Sequence, residues 1–100
     1  MQAVVNSNVV KQENISEKLD YLLGQADTVT KNDVENSIVA MGNKVVKFLV
    51  EKLTTLKGLQ RGIVAMSLIR IGEGSIAPLK ELALEHVEYQ WMADYLLSEI

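Results

Sequence analysis

Apolar side chains recur along the chain at helical intervals, and polar residues between them mark where helices begin and end. Ser16, followed by three leucines at helical spacing, predicts a first helix over about 16–25. Thr30 and Asp33 have the spacing of a capping box and predict a second helix that ends at Gly42. The chain therefore opens with two short amphipathic helices.

The pattern then becomes more densely apolar. From Asn43 to Leu53 too many positions are apolar for a helix that is exposed on one side, so we expect this helix to be covered on more than one face. Thr54 and Thr55 end it, and a fourth helix is predicted over about 57–71.

Glycines and a proline interrupt the apolar pattern in the last part of the chain. Gly58 and Gly62 share a face of the fourth helix, which indicates either close approach of a neighbouring helix or simple tolerance near a helix start. The sequence Gly-Glu-Gly at 72–74 predicts a turn, with Ser75 as the next N-cap and Pro78 in the first turn of a helix to about 86. A last helix is predicted over 89–100.

Two segments are similar at an offset of thirty positions. The segment Val34–Gly42 has the sequence VENSIVAMG, and Val64–Gly72 has VAMSLIRIG. Both end in glycine and both precede a second apolar stretch. Self-similarity at this period predicts stacked helix pairs, because one such pair cannot bury its own apolar face.

The stretch 65–82, AMSLIRIGEGSIAPLKEL, resembles a HEAT repeat in the short form shared with phycocyanobilin-lyase-type repeats. The matching positions are Leu68, Ile71, Gly72, Ile76, Pro78, Leu79 and Leu82. The preceding unit departs from the pattern, with Phe48 in place of the proline and Lys44 in the turn. The resemblance implies an all-α fold, a right-handed α–α superhelix (a HEAT-like solenoid) of about six short antiparallel helices. We assign residues 14–100 to this domain and 1–13 to a flexible arm or a weak extra helix.

Composition narrows the class of protein. The chain has 100 residues, is 48% hydrophobic but only 5% aromatic, and contains no cysteine. These values predict one small domain with an aliphatic core, no disulfide and no thiolate metal site. The longest apolar run, Gly62–Ile69, is far shorter than the roughly 20 residues that span a bilayer. We therefore expect a cytoplasmic protein without a membrane span.

Charge is unevenly distributed. Residues 1–42 carry a net charge of −3, residues 43–72 carry +5 and residues 73–100 carry −5. The best candidate binding residues are Lys44, Lys47, Lys57 and Arg61, which stacking would bring together to bind an acidic segment of another protein. The alternative is that this basic surface faces neighbouring carboxylates. The overall acidity argues against nucleic acid as the partner.

The last helix offers a second candidate surface. Trp91 and Tyr95 lie four positions apart and predict either an aromatic contact surface or burial against the fifth helix. Met92, Leu96 and Ile100 would form an uncovered outer face, through which the chain would form a homo-oligomer or bind another chain.

No motif supports catalysis. His86 is the sole histidine, and its position near a helix end is typical of an exposed surface residue. We therefore predict no catalytic residues, no metal and no cofactor. The expected function is protein binding or scaffolding on a curved helical surface. The alternatives are binding of nucleic-acid or other phosphate backbones by the basic cluster, or a role as a subunit of a bilin-lyase-like enzyme.

Overall fold

The computed structural model describes the backbone from Ser7 to Ile100 and side chains from Asn14 onward. The described residues form helices and contain no strand, which confirms the all-α prediction. The helices are α1 (Ser7–Gly24), α2 (Lys31–Val39), α3 (Val46–Leu53), α4 (Gly58–Ile71), α5 (Ile76–Glu85) and α6 (Gln90–Glu99). Short 3₁₀ turns at Gly42–Val45, Gly72–Ser75 and Val87–Tyr89 precede α3, α5 and α6.

The first helix begins earlier than predicted. Its described part begins at Ser7, and Ser16 lies inside it instead of capping it. No glycine or proline interrupts the chain between Ser7 and Gly24, so nothing in the backbone stops the helix from extending in this direction. Of the predicted arm, residues 1–6 lie outside the described residues, and residues 7–13 are part of α1.

Helix α4 lies at the centre of the fold. It packs against α2 and α3, and it also contacts α1 and α6. Helix α5 packs against α6 and contacts α3. The buried core is aliphatic, as predicted, and consists of Leu19, Leu23, Val34, Ile38, Val45, Val46, Leu49, Leu53, Ile63, Val64, Leu68, Leu79, Leu82, Met92, Ala93 and Leu96. Helix α3 contacts both α4 and α5, which accounts for its high density of apolar residues.

The two similar segments have the same local structure. Gly42 and Gly72 both have positive φ, +73° and +85°, and each begins a four-residue 3₁₀ turn that leads into the next helix. The two turns also lie against each other, since a Cβ atom added to Gly74 would sit 2.1 Å from Asn43 Oδ1. Glycine at 74 therefore leaves room for the side chain of the preceding turn.

The predicted caps form different hydrogen bonds. Neither Thr30 nor Ser75 caps its helix with its side chain. The buried Ser75 hydroxyl instead donates to the carbonyl oxygen of Leu68, 2.8 Å away, and so ties the start of α5 to the last turns of α4. The Thr30 hydroxyl donates to the Gln25 carbonyl oxygen at 3.2 Å and accepts from the Asp27 backbone N–H at 3.0 Å. Both side chains stabilise the connections between helices.

The proposed close approach at Gly58 and Gly62 is wrong. A Cβ atom at either position would have no neighbour within 4 Å. Gly58 begins α4 with a φ of +60°, and Gly62 lies in the helix with open space beside it. The alternative of simple tolerance is therefore correct for Gly62.

Substituting alanine at two glycines should change stability in opposite directions. Gly72→Ala should destabilise the fold by about 1–3 kcal/mol, because its φ of +85° is unfavourable for a residue with a Cβ atom. Gly62→Ala should stabilise it by up to about 1 kcal/mol, because alanine is the better helix former and nothing obstructs the added methyl group. Urea denaturation followed by circular dichroism measures both. Changes of the same sign would contradict this assignment of the turn.

The loop between α1 and α2 is organised by Asp27. Its Oδ1 atom accepts from the backbone N–H groups of Thr30 at 2.8 Å and Val29 at 2.9 Å. These bonds lower the pKa of Asp27 below its ordinary value of 3.8, and the bond from the Thr30 backbone has the largest effect. Together with the Thr30 bonds they fix the direction in which α2 leaves the loop.

The stability contributed by Asp27 should disappear in acid. Because its pKa is lower in the folded state, this stabilisation is present above the ordinary pKa and is lost as the pH falls through the folded-state value. Asp27→Asn should therefore be less stable than the parent at neutral pH, and the difference should shrink below pH 3.8. Carboxyl-carbon NMR titration and denaturation at several pH values test this. A folded-state pKa of Asp27 at or above 3.8 would contradict this prediction.

Candidate functional site

A groove runs between α3 and α5, with a volume of about 360 Å³. It is lined by Lys47, Val50, Glu51, Thr54, Thr55, Pro78, Glu81, Leu82, Glu85 and His86. Val50, Pro78 and the buried Leu82 form an apolar floor, and charged side chains stand at the edges. This arrangement suits a ligand that offers both apolar and charged groups.

The thirty-residue offset determines what faces the groove. Glu51 on α3 and Glu81 on α5 are thirty positions apart, and both are exposed in the groove. Glu85 follows Glu81 by one helical turn and so lies on the same face of α5. The α3 wall of the groove thus carries one carboxylate and the α5 wall carries two.

Hydrogen bonds join the end of α3 to the segment that follows α5. The Tyr89 hydroxyl donates to the Thr54 carbonyl oxygen at 3.1 Å, which fixes the start of α6 to the end of α3. The Thr54 hydroxyl donates back to the Glu51 carbonyl oxygen at 2.7 Å. The relative position of the two walls is therefore held by the chain between them and by this contact.

The four predicted basic residues occupy two separate places. Lys44 lies in the 3₁₀ turn before α3 and Lys47 in the first turn of α3, whereas Lys57 and Arg61 lie beyond the end of α3, at the start of α4. The length of α3 thus separates the two pairs. Lys47 reaches the groove, with its Nζ atom 5.4 Å from the centre of the Phe48 ring. Arg61 is half-buried and donates through Nε to the Leu56 carbonyl oxygen at 2.8 Å.

Part of the basic excess is neutralised inside the molecule. Lys52 of α3 forms an ion pair with Asp20 of α1. Arg70 of α4 donates through Nη1 to Glu35 at 2.9 Å and to Asn36 at 2.8 Å, both on α2. The positive middle segment therefore serves in part to join α3 and α4 to the acidic first third of the chain.

The aromatic residues of α6 are exposed. Trp91 is 67% exposed and Tyr95 is 59% exposed, so the alternative in which they are buried against α5 is wrong. Val87, in the 3₁₀ turn that precedes α6, is also exposed, at 75%. Conversely, Met92 and Leu96 are only 5% and 1% exposed, so the predicted uncovered face is wrong for these two residues. Helix α6 has two adjacent apolar stripes, and the one with Met92 and Leu96 faces α4 and α5.

His86 ends α5 and is exposed, as its position in the sequence predicted. Its Nδ1 atom lies 3.9 Å from Glu88 Oε2, and its ring meets the Tyr89 ring edge-on, with 6.3 Å between centroids. Among the described residues, no group of three or more acidic or histidine side chains is arranged to hold a metal ion. His86 therefore lies at the edge of the groove.

A second cavity of about 350 Å³ lies between α2 and α4. It is lined by Lys31, Asn32, Glu35, Leu59, Gly62, Ile63 and Met66. Its carboxylate, Glu35, is already paired with Arg70. This cavity therefore offers fewer unpaired polar groups than the groove.

Sequence reasoning found part of the groove and missed the rest. Of the four basic residues predicted to bind a partner, Lys47 lines the groove, whereas Lys44, Lys57 and Arg61 do not line it. Sequence reasoning missed Glu85 and His86, although the i to i+4 spacing from Glu81 was available for Glu85. The hydrogen bond between Tyr89 and Thr54 had no local signal, since its partners are 35 residues apart.

Comparisons of the chain with known protein families, with curated proteins and with solved structures find no match. By length and composition alone, the helical stretch Gly58–Glu85 is apolar enough to cross a membrane, and 33% of its most apolar window is buried. Gly72, with its positive φ, changes the chain direction within this stretch. The absence of a membrane span stays a prediction.

The exposure of the single tryptophan should be visible in its fluorescence. Because Trp91 is two-thirds exposed, its emission should change little in wavelength on unfolding, and acrylamide should quench it nearly as well as in urea. Fluorescence spectra of folded and urea-unfolded chain test this. A large red shift on unfolding, with protection from acrylamide in the folded state, would restore the buried alternative.

Proposed function

We propose that this chain is a HEAT-like helical-repeat module, a right-handed superhelical stack, that binds a segment of another protein in the groove between α3 and α5 and catalyses no reaction. The observation that carries the proposal is the groove itself, with its apolar floor and its exposed charged edges. In the repeats that this chain resembles, second helices of successive pairs line the concave, ligand-binding surface. Helices α3 and α5 are the second helices of the two similar units.

Three observations support the stack. First helices contact one another from α2 to α4 and from α4 to α6, and second helices contact from α3 to α5. The 3₁₀ turns of the two units lie against each other at Asn43 and Gly74. The radius of gyration is 14.1 Å, larger than the roughly 13 Å of a compact chain of this length. Elongation with neighbour-to-neighbour contacts is typical of solenoids.

The other candidate functions have weaker support. A nucleic-acid backbone requires a continuous positive surface, whereas Lys52 and Arg70 are paired internally and the groove carries three glutamates. A lyase-like role has no residue-level motif. The exposed aromatic residues Trp91 and Tyr95 of α6 support a second contact surface, through which a homo-oligomer would form.

Blocking the groove should weaken peptide binding. Short random peptides displayed on phage are selected on the parent chain, and the most enriched is measured by fluorescence anisotropy against Thr55→Trp and Met66→Trp. Thr55 is an exposed residue of the groove and Met66 an exposed residue of the second cavity, so the pair is a matched control. Thr55→Trp should weaken binding at least tenfold, about 1.4 kcal/mol, while Met66→Trp should leave it within about twofold.

Circular dichroism of both variants checks that the fold is intact, and amide NMR shifts locate the peptide on the parent chain. Failure of the selection to enrich any peptide would count against the module as a protein binder. A peptide that shifts amides of α2 and α4, or that is weakened by Met66→Trp alone, would contradict the choice of groove.

A further inference from the structure

We infer that the groove between α3 and α5 recognises a cationic segment of its partner, in which Lys or Arg side chains alternate with apolar ones. This inference rests on the proposed function, since it names the partner chemistry for the same groove. It differs from the acidic partner that the basic middle of the sequence predicted. The difference arises because packing of the helices determines which charged side chains line the groove.

The charges that line the groove are mostly negative. Glu51, Glu81 and Glu85 contribute three carboxylates, and Lys47 contributes one ammonium group. All four side chains belong to exposed residues. A ligand segment that enters the groove therefore meets carboxylates on both walls, from α3 and from α5.

These carboxylates are not neutralised within the described part of the chain. None of the three is ion-paired to another described residue, whereas Asp20 and Glu35 outside the groove are paired with Lys52 and Arg70. Internal ion pairs thus occupy Lys52 and Arg70 outside the groove, and the groove remains acidic. A cationic segment would complete the pairing that the chain leaves open.

The apolar floor of the groove favours a ligand that carries apolar groups as well as positive charge. Val50 and Pro78 are half-buried, and Leu82 is buried at the base of the groove. A purely polar cation would leave this surface in contact with water, whereas an aliphatic side chain would cover it. The long methylene stems of Lys and Arg add further apolar contact while their charged ends reach the glutamates. The occupant is therefore an amphipathic cationic segment and not a small cation.

The test uses two synthetic peptides with the same leucines, one with lysine and one with glutamate at all other positions. Binding of each to the full chain is measured by fluorescence anisotropy at two salt concentrations. The variant E51Q/E81Q/E85Q removes the groove carboxylates. The variant E17Q/E73Q/E99Q removes three exposed carboxylates outside the groove and changes the net charge equally, so it is the matched control.

The lysine peptide should bind, and the glutamate peptide should not. Each exposed ion pair contributes about 1.5- to 5-fold in affinity, so E51Q/E81Q/E85Q should weaken the lysine peptide by about tenfold and reduce its salt dependence. The control variant should stay within about twofold. Equal weakening by both variants would show attraction to net charge alone, and no binding, or preference for the glutamate peptide, would overturn the inference.

The phage selection separates this inference from the proposed function. Enriched peptides that map to the groove but carry acidic side chains would overturn the cationic partner and leave the groove as a protein-binding site. Peptides that map elsewhere would overturn both. Enrichment of Lys and Arg among peptides that map to α3 and α5 would support both.

Discussion

The fold depends on covering helix α4. Its buried side chains, which include Val64 and Leu68, lie on one face of the helix, and burial of such side chains is the main favourable contribution to folding. Helices α2 and α3 pack against α4, and α1 and α6 add further contacts. Because α4 and α5 are joined through the turn at Gly72, α5 comes to lie beside α3. The groove between α3 and α5 is thus a geometric consequence of how the central helix is buried.

Packing also decides which charges remain available. The basic middle of the chain and its acidic first third meet in the folded molecule, where Lys52 and Arg70 join α3 to α1 and α4 to α2. The uneven charge along the sequence therefore has a structural role. The glutamates of the groove have no such partner in the described part of the chain, and this leaves an acidic surface above an apolar floor.

The helices after α1 could be predicted from local signals. Positive-φ glycines, the threonines at 54 and 55, and Pro78 all mark boundaries that depend on neighbouring residues. The orientation of α6 could not be predicted, because Trp91 and Met92 belong to adjacent apolar stripes and only tertiary packing decides which one is buried. The ion pairs could not be predicted either, since their partners lie more than thirty residues apart. Local sequence thus determines the helices. Contacts between residues that are distant in sequence determine which side chains and charges remain on the surface.

The stacked arrangement requires that α3 and α5 lie side by side in solution, and a distance measurement between them tests this. The chain has no cysteine, so Glu51→Cys gives a single site for a spin label. Paramagnetic broadening of amide NMR signals then reports proximity. If α3 and α5 lie side by side, signals in α5 around Glu81 and Glu85 should broaden strongly, in addition to those of α3 itself. Sharp α5 signals, with broadening confined to α3 and its sequence neighbours, would contradict the stacked arrangement and the groove that depends on it.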